Sequence, residues 1–214
     1  MTTGKVRGYA LPAYSNDQER PLAQSPRGTL ITINEYMQWV EAGHIFAASI
    51  GEGGTKVDFA EVAYDADQPQ FALDVPAGTT VIPLKVQFVL EEMAGTDNTF
   101  ILATSSGLIA AGTSTANTTA QNMNTSAVST RTTNTTFRQL YTGNGTAPAN
   151  SAEFWMHEEP LAVSAESHPK IEWNVMTGDL PPVIVGPAAL VGYVFATTDG
   201  PEGHAKLIWA EFES

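Results

Sequence analysis

The chain has no cysteine, which removes disulfides, thiolate nucleophiles, zinc ribbons and cysteine-held iron–sulfur clusters from its chemistry. Positive charge is scarce as well: 10 Lys and Arg stand against 23 Asp and Glu, a formal net charge of -13. A surface of that sign repels phosphate, so direct nucleic-acid binding through a basic footprint is not expected. Lys5, Arg7, Arg20 and Arg27 fall early in the chain, but Asp17 and Glu19 interrupt them and leave no basic arm. Charged residues of both signs together make up 15% of the chain, below the quarter or so of an ordinary globular protein.

Uninterrupted apolar runs are lacking too. The opening residues, MTTGKVRGYALPAY, hold no apolar segment of the kind a secretory signal requires. From Leu180 to Thr198 the chain carries no charge, but Pro181, Pro182, Gly186, Pro187 and Gly192 break it. A membrane-spanning helix is therefore not expected there, and two buried strands separated by a turn are.

What remains is enough for one core. A chain of 214 residues with four Trp, nine Phe and six Tyr can bury a substantial interior as a single domain. Residues 1–28, rich in Pro, Asn, Gln and Ser, read as an extended arm or strap, and residues 29–214 as one β-sandwich domain. The strongest local signal is PAGTTVIPLKVQFVLEE, residues 76–92: Ile82, Leu84, Val86, Phe88 and Leu90 alternate with Pro83, Lys85, Gln87 and Glu91. A period of two predicts a long strand with one buried face, and Pro76-Ala-Gly78 supplies the corner before it.

Further strands are expected near 44–50, 56–64, 71–75, 99–104, 136–141, 153–157, 170–176, 183–185, 189–197 and 205–212. The turn sequence Asp199-Gly-Pro-Glu-Gly203 predicts that the last two pair as a hairpin. One helix is expected: Thr32 and Glu35 stand at capping-box spacing, Ile33, Tyr36, Met37 and Val40 share a face, and Gly43 can stop it. Residues 113–136 hold ten threonines, with Met123 and Val128 as the larger apolar residues. Threonine favours strands, so an ordered and mostly exposed β segment is expected in that tract.

No catalytic or metal-ligating constellation emerges, and no site residue or cofactor is assigned. The histidines are His44, His157, His168 and His204; His157-Glu158-Glu159 lacks the spacing of a helical zinc site, because neighbours on a strand face opposite ways. Gly51-Glu-Gly-Gly54 has neither the Lys-Ser/Thr ending nor the helix of a phosphate loop. Glu91-Glu92 and Glu158-Glu159 resemble acid–base pairs but read as solvated charges at strand ends, and Asp65 and Asp67 fit no calcium-loop pattern. Trp155, Trp173 and Trp209 would make a sugar-stacking platform if exposed, yet their strands assign them to the core. Asn117, Asn124, Asn134 and Asn144 begin Asn-x-Ser/Thr patterns of the kind that arise readily in such a composition.

The segments FALDVPAGTTVIPLKVQFVLEE and LVGYVFATTDGPEGHAKLIWAEFE resemble the strand grammar of viral and bacteriophage single-jelly-roll structural proteins, over residues 45–212. The resemblance implies an eight-stranded double-sheet domain, so the fold expected, with the helix read from its capping pattern, is an all-β, antiparallel two-sheet sandwich with a jelly-roll path and one short N-terminal helix. The resemblance also implies a virion building block, a capsid or decoration subunit, whose arm and loops contact other copies or other virion proteins. An acidic chain would then sit away from the packaged genome. A carbohydrate- or receptor-binding β module and a β-sandwich hydrolase are the competing expectations, because one sandwich supports many functions.

Overall fold

The computed structural model describes residues 35–51, 55–59, 64–92, 98–109, 114–126, 131–141, 149–159, 169–196 and 200–213. The expected arm, Thr32, His168 and Asn144 lie outside them. In chain order the elements are α1 (Glu35–Glu41), β1 (Ile45–Ile50), β2 (Val57–Asp58), β3 (Phe71–Val75), β4 (Thr79–Glu92), β5 (Asn98–Ser105), β6 (Ser114–Thr118), β7 (Gln121–Asn122), β8 (Thr136–Tyr141), β9 (Ala152–Glu159), β10 (Lys170–Asn174), β11 (Ile184–Val185), β12 (Ala188–Phe195) and β13 (Glu202–Glu213). The fold is all-β with one short helix, as the patterning anticipates.

The strands form two antiparallel sheets. The first runs β10-β4-β13-β1-β7, with β2 and β11 paired at its margins, and the second runs β6-β8-β3-β12-β5-β9. Setting aside β2, β11 and the insertion β6–β8, each sheet keeps four strands, β10-β4-β13-β1 and β3-β12-β5-β9. That is the order of a double-sheet jelly roll, in which the chain crosses between layers and closes on itself. Because β12 and β13 belong to opposite sheets, the expected C-terminal hairpin does not form.

The core lies between the sheets, where Phe46, Phe88, Leu207 and Trp209 of the first meet Phe71, Phe100, Leu102 and Leu190 of the second. Phe88 touches Phe71 and Phe100 with ring centroids 6.4 and 5.1 Å away, so the central strand does organise both layers. Gly192 is required at its place in β12, since a Cβ there would fall inside the Phe71 ring.

The central strand departs from strict alternation. Val86, Phe88 and Leu90 face the core as expected, but Val81 also does, whereas Ile82 and Leu84 pack on the opposite face. The cause is a register shift in β13 between Ile208, opposite Lys85, and Trp209, opposite Pro83. Such a bulge puts one extra residue into β4 and swaps the facing of everything before it.

Helix α1 covers that displaced apolar face. Tyr36, Trp39 and Val40 pack on Ile45, Leu84 and Ala210, with Trp39 edge-on to Phe212 at 5.2 Å. Met37, expected on the packing face, is 53% exposed, and Trp39 takes its place. Gly43, at φ 73°, enters the left-handed region without a Cβ penalty, and the N–H groups of Gly43 and His44 return to the carbonyls of Val40 and Trp39. The strand expected at 56–64 is described only as the two residues of β2.

Candidate functional site

Two regions of the sandwich depart from an ordinary β surface. One is the insertion between β5 and β9, which extends both sheets on the same flank: β8 pairs with β3, β6 with β8, and β7 with β1. The expected β segment in the Thr/Asn tract is present. Its polar side chains are used as hydrogen-bond partners for the main body of the fold.

Glu211 is the anchor. In β13 the inward parity runs Ala205, Leu207, Trp209, Glu211, so the carboxylate points between the sheets, fully buried. Burying a carboxylate costs several kcal/mol in order of magnitude unless its oxygens are bonded. Thr133 donates its hydroxyl to Oε2 at 2.5 Å, and the Asn134 N–H donates to Oε1 at 2.9 Å. Both donors come from the insertion, so the compensation for one buried charge is the attachment of that segment.

Neighbouring contacts repeat the pattern. Asn122 donates to the carbonyl of Gly43 at 3.0 Å and Asn124 to that of Glu41 at 2.8 Å, satisfying acceptors at the end of α1 that the helix itself leaves open. The Nδ1 of His44 lies 2.8 Å from the Glu211 carbonyl oxygen and 2.7 Å from Nη1 of Arg131. One ring nitrogen cannot donate to the first and accept from the second together, so each tautomer makes one of these bonds. On the outer face of the second sheet, buried Asp74 accepts from Arg138 Nε at 2.8 Å and from the Ile109 N–H at 2.9 Å. It ties β8 and the chain after β5 to β3.

The other region follows β10. Asn174, extended at φ -156°, caps a single 3-10 turn over Val175–Thr177 by accepting from the Met176 N–H at 2.9 Å, and Asp179 accepts from the Asn174 N–H at 3.1 Å. Asn174 also donates to Glu172 at 2.7 Å. Lys170 and Lys85 approach the same carboxylate at 2.5 and 3.0 Å. The hydrogen bond from Lys170, then that from Asn174, hold the Glu172 pKa down to about 2, with Lys85 assisting and burial opposing.

Beyond this rooted turn the chain is apolar and exposed. Met176, Leu180, Val183 and Val185 are 63%, 89%, 64% and 57% exposed, while Ile184 between the two valines is buried against β4. Two wholly buried strands are therefore not what the charge-free run contains: β12 is buried almost throughout, and 180–185 is not. The prolines and glycine that rule out a helix also keep this part from joining the core.

The residue types that suggested chemistry are dispersed. His157 stands 3.5 Å from Glu159 and stacks on half-buried Trp155, on β9 of the second sheet. On the first sheet His204 bonds Glu91 at 2.8 Å, beside an open cleft of about 440 Å³ that Ser49, Gln87 and Lys206 also line. Glu91 and Glu158 lie in different sheets, so the two acid pairs do not form one centre.

Trp173 and Trp209 are buried in the core, leaving no three-tryptophan platform. Asp65 bonds the Asp67 N–H at 2.9 Å and Gln68 at 2.7 Å, contacts that lower its pKa and make it a turn former. No group of three potential metal ligands is found among the described residues. No protein-family model matches the chain, nor does any curated protein or solved structure.

Proposed function

We propose that the protein is a structural subunit of a virion, a capsid or decoration protein that works by self-assembly or by attachment to a protein shell. The observation that carries this reading is the strand order: four strands in each layer, arranged β10-β4-β13-β1 and β3-β12-β5-β9. This is the jelly-roll path that the sequence resemblance implies. A fold hosts many functions, so two features of the surface add weight. The insertion is fixed to both sheets by buried polar bonds, giving a firm outer flank, and an apolar segment is held out into solvent on a rigid root.

In this reading the chain acts by contact and performs no reaction. The net charge of -13 favours a position on the outside of a shell, away from packaged nucleic acid. Sizing of the purified protein combined with electron microscopy, across concentration and salt, tests the proposal. Oligomers or closed shells are the expected result, and a strictly monomeric population that also fails to bind a shell contradicts it. Deletion of residues 1–27 is expected to preserve the fold and impair assembly. Unchanged assembly would remove the arm from the account.

A further inference from the structure

We infer that the exposed segment from Met176 to Val185 is the surface through which one copy of this chain contacts another, an inference that rests on the shell-subunit reading. Nine large apolar side chains among the described residues are exposed, and four of them, Met176, Leu180, Val183 and Val185, fall in these ten positions. The others, Met37, Tyr64, Leu108, Met123 and Met156, are scattered through the rest of the chain. Single exposed apolar residues are ordinary, whereas a concentration of them marks an interaction surface.

Charge selects the occupant. Two copies, each carrying -13, repel wherever their acidic surfaces face each other. From Val175 to Thr198 the only charged residue is Asp179, and its carboxylate is turned to the Asn174 N–H. The strip therefore brings little charge of its own against a second copy. A basic partner would be drawn to the acidic surface elsewhere, while a second copy brings the same neutral, apolar strip, as a two-fold contact requires.

The backbone specifies how they meet. β11 is two residues long and pairs with β4, and Pro181, Pro182 and Pro187 around it have no N–H to give. A partner strand therefore cannot extend the sheet across this edge. The contact is made by side chains, with Leu180 as the most exposed anchor. Because Asn174 and Asp179 fix the turn before it, the anchor is presented with little ordering left to do on binding.

Sedimentation velocity of the full chain, wild type beside the Leu180→Asp/Val185→Asp variant, tests the inference. Leu108→Asp, at another exposed position, serves as control, and Leu180→Asp alone serves if the double variant does not fold. We expect the wild type and the control to self-associate and the variant to bind itself at least about tenfold more weakly, one decade in the association constant. Equal association of wild type and variant overturns this surface and leaves the shell-subunit reading standing. A wild type that is monomeric throughout overturns the contact between copies and the self-assembling form of that reading together. Vesicles of uncharged phosphatidylcholine probe the other occupant: co-sedimentation of a monomeric wild type that the variant loses would assign the segment to a lipid surface and overturn the inference.

Discussion

On the β1 flank of the sandwich a polar insertion is tied down by a buried glutamate, while past β10 an apolar loop is held out in water by a capped turn. In the first region Thr133 and Asn134 satisfy Glu211, and in the second Leu180 is 89% exposed above the bonds of Asn174. The difference shows that polarity alone does not sort inside from outside in this molecule. A polar tract becomes part of the structure when it supplies the donors a buried acceptor needs. An apolar tract stays outside when prolines leave it only a two-residue strand at the margin of the ladder. Fully burying a leucine or valine is worth about 1.5–3 kcal/mol, a gain that the exposed segment forgoes several times over in the free subunit and that the proposed contact would recover.

The contrast can be broken from the polar side first. Glu211→Ala strips Thr133 and Asn134 of their acceptor in a buried place, and a loss of about 3 kcal/mol is expected. In a chain of this size that lowers the thermal midpoint by on the order of 10 °C, measurable by calorimetry. A loss under about 1 kcal/mol would show that the junction is incidental. Asp74→Ala comes next: it removes one acceptor of Arg138 and the acceptor of the Ile109 N–H, and about 2 kcal/mol is expected in denaturant unfolding.

Much of this was legible and some was not, for identifiable reasons. The central strand follows from period-two patterning and the jelly-roll path from the resemblance to jelly-roll structural proteins, yet the facing of Ile82 and Leu84 follows from neither. They are apolar like Val86 and Phe88, and only the bulge opposite Ile208 and Trp209 assigns them to the helix side. The hairpin expectation failed because turn residues mark where a chain reverses and carry no information about which sheet it enters. Glu211 had a signal: it continues the parity of Ala205, Leu207 and Trp209, so an acid at that step of an inward-facing row announces a buried charge in need of partners. The exposure of 180–185 had one as well, in the prolines that argued against a helix and that leave room for a strand of only two residues. What no sequence pattern offers is the pairing across the fold of His44 with Arg131, 87 residues apart.

Two smaller effects sharpen the apolar side. Glu172 has its pKa held down to about 2 from 4.5, so its unfolded form binds protons more tightly. The stability it contributes is present above about pH 4.5 and is lost as pH falls toward 2. With the side chain 19% accessible, solvent screening limits this to about 1 kcal/mol or less. Glu172→Gln should lower stability by that amount at neutral pH and by progressively less as pH falls to 2 and below. An equal deficit at both ends would mean that shape and not charge fixes the turn. The smallest change is expected from Leu180→Asp in the isolated subunit, within about 0.5 kcal/mol of wild type, because that side chain contributes little packing to the monomer. A large loss would show that the loop belongs to the core after all.

Hydrogen–deuterium exchange at low and high protein concentration compares the two regions in one experiment. If the apolar segment meets a second copy while the polar junction is internal to each subunit, the amides of residues 183–186 gain protection as concentration rises. Those of residues 133–137 are protected alike at both concentrations. Exchange at 183–186 that stays equally fast when the protein is assembled would contradict the account.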